Sequence, residues 1–179
     1  MTQKIHLIGL ILFLAMSPLA MASAPASLAG TPHLTPLQDQ VRHALVTLPY
    51  FGVFDNLQFQ VVGSKAILSG QVVRPTLKRE AESAVKRVAG IQSVENNIEV
   101  LPFSPFDNRI RLATYWAIYS NPIFTRYAIR AVPPIHIVVK NGFVTLVGVV
   151  ATRAEKNIAR IDANSVPNVF KVDDELRVA

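Results

Sequence analysis

The chain has 179 residues, half of them hydrophobic, which suffices for one ordinary domain or two small ones. It has no cysteine, and that excludes disulfides, thiolate metal sites, a cysteine nucleophile and anchoring through a lipidated cysteine. A net charge of +6 favours an anionic partner.

Residues 1–22 read as a secretory signal. MTQKIH carries a lysine, LIGLILFLAM is an unbroken apolar run, and SPLAMASA offers small-x-small cleavage patterns. The run is well short of the roughly 20 residues that a membrane-spanning helix needs. A cut after Ala24 would put Pro25 beside the scissile bond, so a cut after Ala22 is preferred. Export redirects the positive charge away from nucleic acid, toward phospholipid head groups, envelope polymers or other proteins. Residues 23–36, rich in proline and small side chains, form a flexible lead-in.

The first module spans 37–101. Leu37, Val41, Leu45 and Leu48 mark one face of a helix that ends before Pro49. LQFQVV alternates as a half-buried strand, Gly63-Ser64 turns the chain, and AILSGQVV returns. Pro75 suits a first helical position, Leu77, Ala81, Ala84, Val85 and Val88 make that helix's buried stripe, and SVENNIEV closes the module. PFSPF, residues 102–106, is a stiff linker that keeps the next module close enough for a defined interface.

The second module, 107–179, repeats the first. From the first strand onward its apolar pattern matches at a constant offset of 78 residues, including Gly70 on Gly148. A glycine inside a strand suggests a bulge or a backbone closely approached by a helix. Asn141-Gly142 is the strongest hairpin signal in the chain, and Thr152 with Glu155 fits a capping box. The expected fold class is α+β, with two α-β-β-α-β modules. Each is a small three-stranded mixed sheet covered by helices.

With that order, the chain resembles the BON domain family (bacterial OsmY and nodulation). The features carrying the likeness are AILSGQV and VTLVGVV with their glycine, the helix TLKREAESAVKRVAGI, and the closing SVENNIEV. The second copy departs where Asn168 stands for Gly90 and Asp174 for Asn96. The resemblance implies a periplasmic protein of tandem modules, linked in its relatives to envelope integrity, osmotic stress and phospholipid binding.

No enzyme signature is present. His6, His33, His43 and His136 are isolated from one another and from any carboxylate cluster, so no metal site or cofactor is expected. Asp173-Asp174-Glu175 reads as a solvated strand edge, not a calcium loop. There is no nucleophile elbow, phosphate loop or dinucleotide fingerprint.

The copies differ in their first helices, which align at an offset of 69, VRHAL against IRLAT. In the second copy Phe106, Ile110, Ala113, Thr114 and Ala117 take the inward positions. Leu112, Tyr115, Trp116 and Tyr119 then make a second apolar face. An insertion near 120–134 adds Phe124 and Tyr127, interleaved with Arg126 and Arg130. Residues 107–179 hold ten Lys/Arg against six Asp/Glu, whereas 37–101 hold seven against six. Indoles and phenols favour the membrane–water interface and arginine favours phosphate. These eight residues are therefore candidates for contact with an anionic phospholipid surface, with an envelope protein, or with the first module and the inserted loop. The oligomeric state is left open.

Overall fold

The computed structural model describes residues 34–179. The signal and all but the end of the lead-in lie outside the described residues. The first module runs α1 (Pro36–Val46), β1 (Asn56–Val62), β2 (Lys65–Val72), α2 (Pro75–Lys86), β3 (Ser93–Asn96) and β4 (Glu99–Val100). The second runs α3 (Pro105–Tyr119), a 3-10 turn (Pro122–Phe124), α4 (Thr125–Ala128), β5 (Ile135–Lys140), β6 (Phe143–Val150), α5 (Arg153–Asn164) and β7 (Lys171–Val178). Every element from β2 and β6 onward keeps the 78-residue offset.

Each module is a mixed sheet. β1 pairs antiparallel with β2, and β3 and β4 follow one another along β2 in parallel register. In the second module β5 pairs antiparallel with β6, which pairs in parallel with β7 along its whole length. The strand-helix-strand passage through α2 or α5 returns the chain to the same sheet in parallel. In the first module the third strand is interrupted at Asn97 and Ile98, where Asn96 Oδ1 accepts from Ile98 N at 3.2 Å, and it resumes in the same register.

Two separate cores result. Val41, Leu45, Leu68, Leu77, Val85 and Ile98 fill the first, and Ile118, Phe124, Ile135, Ile137, Leu146 and Leu176 fill the second. Val53 and Phe54, in the loop before β1, pack on the second core. Val53 O accepts from Ile137 N at 2.8 Å, and Lys140 pairs with Glu99 at 2.5 Å. The modules are thus stitched together, and Leu34–Ala179 form one compact unit.

Several local expectations need correction. The linker is shorter than 102–106, because Ser104 caps α3 by accepting from Asp107 N at 3.1 Å and Pro105 is its first residue. Gly70 and Gly148 make room for a carbonyl at the start of the neighbouring strand or just before it, not for a helix. A Cβ built there would stand 2.0 Å from Asn56 O and 1.9 Å from Pro134 O respectively. Only half of the expected capping box forms. Thr152 Oγ1 accepts from Glu155 N, but the Glu155 carboxylate turns to Ala151 N and the Tyr127 hydroxyl. A complete box stands at Thr35 and Gln38, in front of α1.

Candidate functional site

Helix α3 carries the candidate surface, and its rotation decides which side chains are available. Its buried stripe is Asp107, Ile110, Arg111, Thr114, Ile118 and Tyr119. Of the expected inward set, Ile110 and Thr114 are buried, Phe106 and Ala117 are half-buried, and Ala113 is exposed. The stripe is displaced because polar groups in it satisfy the neighbouring strand. Asp107 accepts from Asn141 N at 3.0 Å and Gly142 N at 2.8 Å, which fixes the hairpin turn to the start of the helix. Arg111 donates to Val139 O at 2.6 Å. Buried backbone groups need such partners, and apolar periodicity cannot reveal them.

The eight candidates separate accordingly. Tyr119 is buried. Its hydroxyl donates to Ile135 O at 2.7 Å and accepts from Ile135 N at 3.1 Å, and burial pushes the phenol well above its ordinary pKa. Phe124 and Tyr127 are also core residues, because the insertion folds back over the second sheet instead of projecting from it. Arg126 is committed to an ion pair with the buried Glu155, alongside Tyr127. These four belong to the scaffold.

Leu112, Trp116 and Arg130 remain exposed, and Trp116 is 64% accessible. Tyr115 lies half-buried at the module seam, its ring edge-on to Phe54 at 6.2 Å and to Trp116 at 5.4 Å. Together they line a groove of about 300 Å³ that also takes in Val53 and Phe54 of the first module. Arg130 is held over the Tyr127 ring at 5.7 Å, with no acidic partner within ion-pair distance among the described residues. Ile129, 82% exposed, sits beside it in the chain.

Sequence reasoning missed Val53, Phe54 and Ile129. The first two belong to the other module, and nothing local marks them as neighbours of α3. Ile129 stands among Ala128, Arg130 and Ala131, with no apolar periodicity to mark it.

The groove lining holds no acid, histidine or cysteine, and its one hydroxyl is the Tyr115 phenol. Among the described residues no group of three or more His, Cys, Asp or Glu is placed to hold a metal ion. No described helix is long and apolar enough to cross a membrane. An indole, aliphatic side chains and a guanidinium around a shallow groove are the chemistry of a contact surface on a tandem α+β module protein.

The BON domain family model matches residues 33–102 and 127–179, more than half of the chain. The chain belongs to the BON domain family, in tandem form. The stretch between the two matched segments contains α3 and Trp116. No curated protein matches the sequence. Among solved structures, the chain is similar to the C-terminal domain of CdsD, the structural protein of the type III secretion system of Chlamydia trachomatis. Identity is 12% and the TM-score 0.29, with 82% of this chain and 99% of that one covered. A second structure of CdsD gives 11% identity and a TM-score of 0.31, covering 81% and 94%. At these TM-scores neither likeness carries an argument about this chain.

Proposed function

We propose that this is an exported, periplasmic envelope-maintenance protein whose second module docks peripherally on anionic phospholipid. The supporting observation is the exposed Trp116 indole beside the unpaired Arg130. It lies on the more basic module. A tryptophan at the head-group level contributes apolar contact and a polar N–H, and each basic residue near an anionic surface adds about 1 kcal/mol. Leu112 and Ile129 extend the apolar contact. Arg126 contributes little, since its charge is already spent on Glu155.

Co-sedimentation with vesicles tests the reading, comparing phosphatidylcholine alone with phosphatidylcholine containing phosphatidylglycerol. Binding is expected only to the anionic vesicles and should weaken with salt. Trp116→Ala should weaken it about tenfold, equivalent to roughly 1.4 kcal/mol. Arg130→Ala should lower it by a few-fold, and Ile161→Ala on α5 should leave it unchanged. Equal binding by all variants removes the site. One observation favours a second reading. The groove sets Val53 and Phe54 of the first module against the aromatic residues of α3, an apolar recess that suits a side chain of a protein partner. Binding to an envelope protein without lipid, lost in Trp116→Ala, would establish that alternative.

A further inference from the structure

β1 and β5 occupy the same place in the two modules, each at the edge of its sheet, yet their outer edges differ. On β5 four of the six outward backbone groups are covered. Ile135 N and O meet the Tyr119 hydroxyl, Ile137 N meets Val53 O, and Val139 O meets Arg111. The counterparts on β1 are Leu57, Phe59 and Val61. β1 and β2 are joined by a two-residue loop closing on the Val62–Lys65 pair. Hence Asn56, Gln58, Gln60 and Val62 turn their backbone toward β2, and Leu57, Phe59 and Val61 turn theirs outward. No other described residue forms a backbone hydrogen bond with those three.

The cover is missing for identifiable reasons. α1 has 11 residues against 15 for α3. The positions matching Tyr119 and Arg111 are Tyr50 and Arg42, and both are exposed. Phe59 and Val61 are correspondingly only half-buried, whereas Ile137 and Val139 are fully buried. The start of β1 lies against β5, and beyond it a cleft of about 520 Å³ separates Leu57 and Phe59 from His136, Glu175 and Arg177 of the second module, so a partner strand enters between the modules at that end.

We propose that the β1 edge pairs with the β1 edge of a second copy of this chain, antiparallel, about a two-fold axis through Phe59. The sequence Leu57-Gln58-Phe59-Gln60-Val61 is self-complementary in that register. Phe59 opposes Phe59, Leu57 opposes Val61, and Gln58 opposes Gln60. Apolar side chains then meet on the helix side and amides meet on the other. All three outward N–H groups and all three outward carbonyls of each copy find partners, as an isologous contact requires. β1 carries no charge and no proline, the devices that usually keep edges apart. The opposite edges are interrupted midway: Asn96 takes Ile98 N, while Asp174 and Lys156 take Leu176 N and O. This pairing is independent of the lipid reading, whose residues lie on the second module and in the loop before β1.

The test uses the chain from Ser23, which is free of native cysteines. Phe59→Cys places two thiols across the axis with Cα atoms about 5.5 Å apart, within disulfide reach. Leu57→Cys places its own copies roughly 14 Å apart. Mild oxidation is expected to cross-link the first and not the second. Sedimentation equilibrium should show a concentration-dependent dimer in the unmodified chain and in Trp116→Ala. Gln58 and Gln60 are exposed, so lysines at both positions should preserve the fold. In the dimer they set like charges opposite one another, and the dissociation constant should rise at least tenfold. Gln58→Lys with Gln60→Glu sets opposite charges across the axis and should restore pairing. A chain that stays monomeric up to millimolar concentration overturns the proposal. So does equal cross-linking at 57 and 59, or a dimer indifferent to the charge pattern.

Discussion

Asn168 has φ 66°, where Gly90 has φ 96°. The departure from the first copy is therefore conformationally silent, because asparagine is among the few non-glycine residues that tolerate this region. Asp174 is an equally close substitute. Its Oδ1 accepts from Leu176 N at 3.0 Å, as Asn96 Oδ1 does from Ile98 N. The Asn96 amide, which donates to Lys78 O at 3.0 Å, is replaced by Lys156, whose ammonium donates to Leu176 O at 2.5 Å. Asn168→Gly should therefore change stability by only a few tenths of a kcal/mol, whereas Asn168→Val should cost about 1–2 kcal/mol. Gly148→Ala should be far more damaging, about 3 kcal/mol or more, since φ 141° and the Pro134 carbonyl both oppose a Cβ. Urea denaturation midpoints measure all three.

At the scale of elements, α3 shows what an apolar pattern can and cannot fix. Leu112, Tyr115, Trp116 and Tyr119 do fall on one side by spacing. A second-face reading nevertheless fails for Tyr119, because its hydroxyl is the one group positioned to satisfy Ile135 at the β5 edge. Tyr119→Phe leaves that N–H and carbonyl buried and unpaired, so a loss of about 1–3 kcal/mol is expected from equilibrium unfolding. Trp116→Ala removes a mostly exposed ring and should leave the same measurement within about 0.5 kcal/mol. The contrast between these two substitutions on one helix distinguishes scaffold from surface. The insertion follows the same logic. Phe124 and Tyr127 supply core volume, and the exposed part is confined to Ile129 and Arg130.

Across the whole molecule, the seam makes the modules one cooperative body despite their separate cores. Phe54 packs on the second core from the first module, so far-UV circular dichroism and Trp116 fluorescence should report a single coincident transition. His136 lies at that seam, its ring 5.6 Å from Phe51, and burial pushes its imidazole below the ordinary value of 6.5. The unfolded chain then binds more protons than the folded one as pH falls through 6.5, so His136 costs stability on acidification. Asp55, raised by burial from 3.8, has the opposite slope in the acid range. Between about pH 7.5 and about pH 5.5, His136→Phe should therefore lose less stability than the unsubstituted chain. Equal slopes in urea titrations would remove His136 from the account.

The order α-β-β-α-β, its duplication at a fixed offset, the strand glycines and the family were all determined by sequence alone. They rest on local periodicity, turn chemistry and spacing, which one-dimensional order preserves. Only the tertiary structure decided which aromatic residues face outward and that Phe54 joins them. It alone separated the covered β5 edge from the open β1 edge. Those outcomes depend on where buried backbone groups find their hydrogen-bond partners, often in the other module, and no local pattern encodes a partner that distant.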